Sequence, residues 1–184
     1  MNANEQQRVL QAIMQASSQL AAAAQAFAGG NGGTPTVPSL YLDFLPPAMR
    51  DRARDFFVYS VDFANIATTS TSTGTFTVQN DSDFLVVAIN GEEVDPANES
   101  TAITTSPLLI TVTDGGSGRN WFNRAQAYAN IVGTGQLPAF LPYPKFVDRS
   151  SDVSVTITNN AAAQAARIRL SFVGFKIFDI MRGA

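Results

Sequence analysis

The chain has no cysteine and no histidine in its 184 residues. Those two absences remove several chemistries at once. A thiol nucleophile is excluded, as is a Ser-His-Asp triad, which has no imidazole to act as base. Zinc sites built on sulfur or imidazole are excluded too. No disulfide pattern exists from which to read the redox compartment. Charge is also scarce. Asp, Glu, Lys and Arg make up 15% of the residues, against about 25% in ordinary domains. The net charge of −3 and the lack of any Lys/Arg cluster argue against nucleic acid as a partner, because phosphate binding needs a basic face. No apolar run reaches the roughly 20 residues that span a bilayer. The amino terminus does not read as a secretory signal, since Glu5, Gln11, Gln15 and Gln19 interrupt any apolar segment. The expectation is a soluble protein made in the cytoplasm.

What the sequence does hold is Ala and Gln at one end, then Ser, Thr, Asn and β-branched residues. From Asn4, a plausible N-cap followed by Glu5 and Gln7, good helix formers run to Ala28, where Gly29 and Gly30 end them. Leu10, Ile13, Ser17, Leu20, Ala24 and Phe27 recur at spacings of three and four, a short heptad seam. A single helix of this length is marginal in water, so its stripe needs a surface to cover it. The stretch "GGNGGTPTVP" then forms a flexible tether with a stiff exit. The expected organisation is a helical arm over 1–28, a tether over 29–38 and a body over 39–184. A helix on such a tether is suited to dock on a second copy or on another protein, and Leu10, Ile13, Leu20 and Phe27 are the candidate contacts.

In "SLYLDFLPPAMRDRARDFF" an extended piece precedes a turn of helix after Pro46 and Pro47. Arg50, Arg52 and Arg54 alternate with Asp51 and Asp55, which reads as a solvated charged face. From Phe57 the period becomes two. "FVYSVDFANI" alternates, "TTSTSTG" reads as a loop or hairpin, and "TFTVQN", "FLVVAIN" and "TAITTSPLLITVT" read as strands. "RNWFNRAQAYANIVGTG" is ambiguous between short helix and strand. "LPAFLPYPKFV" is extended. "DVSVTITN" and "ARIRLSFVGFKIF" close the chain. The expected fold is mainly β: a β-sandwich or jelly roll of about eight strands with an amino-terminal helical arm.

The last strand poses a question. Ile168, Leu170 and Phe172 face one way, and the same parity continues to Gly174 and Lys176, leaving Val173, Phe175 and Ile177 on the outside. Either a bulge at Gly174 flips the faces, or another surface covers an exposed apolar patch. The second account makes Phe175 and Ile177 interface candidates.

Candidate chemistry is thin. Asn80, Asp81 and Asp83 form one acidic group, and Glu92, Glu93, Asp95, Asn98 and Glu99 another. Neither matches a calcium loop, and turn polarity accounts for both. No carboxylate pair is singled out for glycoside hydrolysis. "DGGSGRN", with Arg119, lacks the strand–loop–helix context of an anion site. Trp121 and Phe122 are core or interface anchors. No catalytic, cofactor or metal site is expected.

Low charge, no Cys or His, a Thr/Ser/Asn-rich β domain and an Ala/Gln-rich arm on a glycine tether together resemble the small structural proteins of tailed-bacteriophage virions. The ending "PYPKFVDRSSDVSVTITNNAAAQAARIRLSFVGFKIF" resembles their closing strands, with Gly174, Phe175 and Lys176 in the last of them. The resemblance implies a non-enzymatic cement or decoration protein. It would be made in the bacterial cytoplasm and reside in the virion, self-associating as dimer or trimer and docking on the major capsid protein. A neck, collar or fibre-base protein is the alternative within that class. Outside it stands a carbohydrate-binding module with Trp121, Phe122, Tyr128 and Tyr143 as its aromatic platform. A lyase or hydrolase working through carboxylates is the third reading.

Overall fold

The structure, a computed structural model, describes residues 45, 47–102, 107–134 and 137–181. The helical arm, the tether and the contacts Leu10, Ile13, Leu20 and Phe27 lie outside the described residues. Among the described residues the compact β unit runs from Pro47, and its first feature is a single 3-10 turn, Pro47–Met49.

Ten strands follow among the described residues: β1 (Arg52–Ile66), β2 (Ser70–Thr77), β3 (Ser82–Asp95), β4 (Asn98–Ala102), β5 (Leu108–Asp114), β6 (Arg119–Asn120), β7 (Gln126–Ala127), β8 (Ala139–Val147), β9 (Asp152–Asn159) and β10 (Ala166–Met181). One short helix, α1 (Tyr128–Ile131), sits between β7 and β8. The ambiguous segment around Trp121 thus resolves into two minimal strands and one helical turn. The strands make two antiparallel sheets, so the chain is a mainly β sandwich. One sheet runs β1-β10-β3-β4, with β8 also on β3; the other runs β2-β9-β5-β6, with β7 also on β5.

The alternation read from the sequence holds where one face is buried. Val153, Val155, Ile157, Ile168, Leu170 and Phe172 are all fully buried in the space between the sheets. Aromatic rings fill its middle. Tyr59 stacks on Phe76 at 5.0 Å and meets Phe84 edge-on at 4.8 Å, and Phe172 packs on Phe76 at 4.9 Å. Strand β3 is buried on both faces from Ser82 to Ile89, which explains why "FLVVAIN" lacks alternation.

The segment "TTSTSTG", read as a loop or hairpin, is mostly strand: after a turn at Thr68 and Thr69 it enters β2. β2 pairs residue for residue with β9, from Ser70 opposite Asn159 to Thr77 opposite Asp152. Its outward residues are threonines, and of its inward residues Ser70, Ser72 and Gly74 are small and only Phe76 is apolar, so no hydrophobic alternation marks it. The small side chains are required: a Cβ on Gly74 would lie 2.5 Å from Val61 Cγ1 and 3.1 Å from the Phe63 ring.

Candidate functional site

The last strand answers its question in a third way. Its ladder with β1 is unbroken through the region, with Val58 opposite Val173, Phe57 opposite Gly174 and Phe56 opposite Phe175. The irregularity lies on the other side. Val173 faces Ala88 and Gly174 faces Val86, so the extra residue, Val87, belongs to β3. The faces of β10 therefore do not flip, and Gly174 and Lys176 do point between the sheets. Gly174 sits where β3 bends in, and a Cβ there would be 2.1 Å from the Leu85 carbonyl oxygen.

The expected exposure of Phe175 and Ile177 is corrected: they are 2% and 0% exposed. Parity did place Phe175 on the outer face, in a row formed by Phe56, Phe175, Leu85 and Phe146 across β1, β10, β3 and β8. The two inner members of that row are buried, and only its rim opens, with Phe56 and the adjacent Val58 exposed. Phe56 meets Phe175 edge-on at 6.2 Å. Trp121 and Phe122 are partly buried and pack against the chain's own core, Trp121 edge-on to Phe172 at 5.8 Å. Tyr128 is buried and Tyr143 exposed, so the four aromatics of the carbohydrate reading do not share one open platform.

Lys176 is the one buried basic side chain among the described residues. Its Nζ lies 4.4 Å from the centre of the Phe57 ring, donates to the Gln79 side-chain oxygen, and is 3.3 Å from both Asp81 oxygens. A cation is stable there because the ring face and two oxygens replace its water. The Ser82 hydroxyl, then the Lys176 ammonium, hold the Asp81 carboxyl below its ordinary value.

At the same end, Arg149 joins three elements. Its backbone N–H donates to buried Asp83 at 3.0 Å and its Nε at 3.3 Å. Its guanidinium also pairs with Asp179, which Arg52 pairs from the other side. These hydrogen bonds raise the Arg149 pKa and lower that of Asp179. Arg52 thus belongs to an ion-pair group rather than a merely solvated face. Asp81 and Asp83 are each taken up by a cation, and among the described residues no group of three or more Asp or Glu side chains is placed to hold a metal ion. "DGGSG" is a hairpin turn in which Asp114 accepts from the Gly116 N–H at 3.0 Å and the Ser117 hydroxyl at 2.6 Å.

The feature that sequence reasoning missed is the outer face of the second sheet. Thr71, Thr73, Thr75 and Thr77 stand exposed along β2. Their hydroxyls reach across to β9, Thr71 to Thr158 and Thr73 to Thr156 at 3.0 Å, Thr75 to Ser154 at 3.3 Å and Thr77 to Asp152 at 2.6 Å. Thr111 and Thr113 of β5 extend two of these rows, opposite Thr156 and Ser154. The signal was present as Thr at every second residue in "TSTGTFT". It is a polar period of two, which turn composition masks.

No family model matches the chain, and no curated protein matches it.

Proposed function

We propose that the chain is a non-enzymatic structural protein of a tailed-bacteriophage virion, a jelly roll that docks on the capsid and stabilises it as a cement or decoration protein. One observation carries this reading: the strand pairing is nested. β1 lies beside β10, β2 beside β9, β3 beside β8, and β5 beside β6 and β7. A chain folded back on itself and wound into two sheets produces that order. That order supports a jelly roll, an architecture used by capsid proteins and lectins. Within that pair of uses the capsid reading is favoured, because Tyr128 is buried, Trp121 and Phe122 pack on the core and only Tyr143 stands open, which leaves no shared platform for a sugar. The ion-pair group around Arg149 and the pairing of Lys176 fit a body built for rigidity.

The test is copurification. Particles banded from a lysate of the strain that carries the gene should contain the protein in a fixed ratio to the major capsid protein. Its presence in the lysate and absence from intact particles would defeat the reading. Gold-labelled antibody on those particles separates capsid from neck, collar or fibre base.

A further inference from the structure

We infer that β2 is a self-association edge, at which two copies pair β2 against β2 antiparallel and join their second sheets into one. This gives a location to the self-association in the assembly reading above, and rests on it. Among the described residues β2 bonds to β9 on one side only. Its other side is a row of eight residues' backbone groups at the margin of the sheet.

Edge strands are normally protected from one another by charge, proline or bulges. The edge of the first sheet follows that rule: β1 carries Arg52, Arg54, Asp55 and Asp62. β2 does not. Its sequence "STSTGTFT" has no charge and no proline, and its ladder with β9 has no register shift. A second copy is the occupant these properties fit. A strand without charge meets itself without like-charge repulsion, and a charged partner strand would gain nothing from it.

The side-chain pattern is self-complementary as well. A two-fold axis normal to the sheet keeps each face on its own side, and the period of two then sets odd-numbered residues opposite odd-numbered ones. Thr71, Thr73, Thr75 and Thr77 would face the partner's threonines, repeating the Thr–Thr hydroxyl bonds made with β9 at 3.0 Å. On the inner face Ser70, Ser72 and Gly74 are small, and the one large side chain, Phe76, is already packed into the core against Tyr59 and Phe172.

The experiment is the mass of the full chain in solution, by light scattering and sedimentation, across a concentration series. The unaltered protein is expected as a dimer or an even-numbered multimer. T73K/T75K puts like charges opposite one another at the joint and should raise the dissociation constant about tenfold or more. T111K/T113K carries the same charges on the same face but on β5, and should leave the mass unchanged. Circular dichroism confirms that both variants fold. A monomeric unaltered protein overturns the inference, including one that pairs only with a foreign strand. So does a T73K/T75K variant with unchanged mass, or equal loss in both variants, which would mean the face and not the edge is the contact. A chain that is monomeric yet copurifies with particles defeats only the edge pairing. A dimer that never copurifies defeats only the virion reading.

Discussion

The ammonium of Lys176 lies over the ring of Phe57, 4.4 Å from its centre, at the end of the sandwich where the chain passes from β2 to β3. Both residues face inward, one on β10 and one on β1, two rows apart in the same ladder. The contact ties the final strand to the first. Replacing Lys176 with Ala removes the cation–ring contact, the bonds to Gln79 and Asp81, and the packing of the stem. We expect a loss of about 2 kcal/mol in chemical denaturation. Lys176→Met keeps the stem's bulk and should lose less. An alanine variant as stable as the parent would show the contact to be idle.

Acid should weaken the fold in a defined window. Asp179, bonded by Arg149, and Asp81, bonded by Ser82 and Lys176, both titrate below the ordinary 3.8. A carboxyl with a depressed folded pKa contributes fully above its unfolded value and loses that contribution as pH falls through its folded one. The melting temperature should therefore fall as pH drops below about 4. The double variant D81N/D179N should start lower at neutral pH and show a flatter acid limb. Parallel curves for parent and variant would contradict the assignment.

Two glycines should differ in their tolerance. Gly74→Ala drives a methyl group against Val61 and should cost about 1–3 kcal/mol. Adding Val61→Ala should recover part of that cost in a double-mutant cycle. Gly174→Ala meets the Leu85 carbonyl, which is backbone and cannot rotate away. It should cost more than Gly74→Ala, and no single side-chain truncation should rescue it.

Phe175 behaves here as a core residue. Phe175→Ala should destabilise the chain by about 3 kcal/mol or more. A free docking contact would leave the melting temperature unchanged and weaken only association.

Tyr128 has its hydroxyl buried without a hydrogen-bond partner among the described residues, close to Gly91. Burial, then the charges of Glu93 and Glu92, push its pKa upward, so the phenol stays neutral at any working pH. Tyr128→Phe removes an unsatisfied polar atom and should leave stability equal or raise it by about 1 kcal/mol. A clear loss in thermal unfolding would mean the hydroxyl is bonded in solution.

Much of the fold was legible because it is local. Alternation in "DVSVTIT" and "ARIRLSF" reports one buried face per strand, and each residue's inward or outward sense follows from the pleat alone. The sandwich class follows from such strands recurring between turns. The absence of Cys and His likewise limited the chemistry without any coordinates. The edge strand β2 was hidden because its period is polar: threonine favours strands, but Ser, Thr and Gly together also favour turns.

Tertiary structure alone decided which strands are neighbours, and that governs the rest. Arg54 meets Ile177 and Phe63 meets Ile168 across more than half the chain, a pairing that local patterns cannot specify. The break at Gly174 was legible as a conflict but not as a solution, because the extra residue is Val87 on another strand. The same holds for Phe175. Parity set its side of the sheet, but whether that side is open or covered depends on what the folded chain brings against it. Sequence periodicity records a residue's direction, whereas burial and partnership are properties of two segments meeting in space.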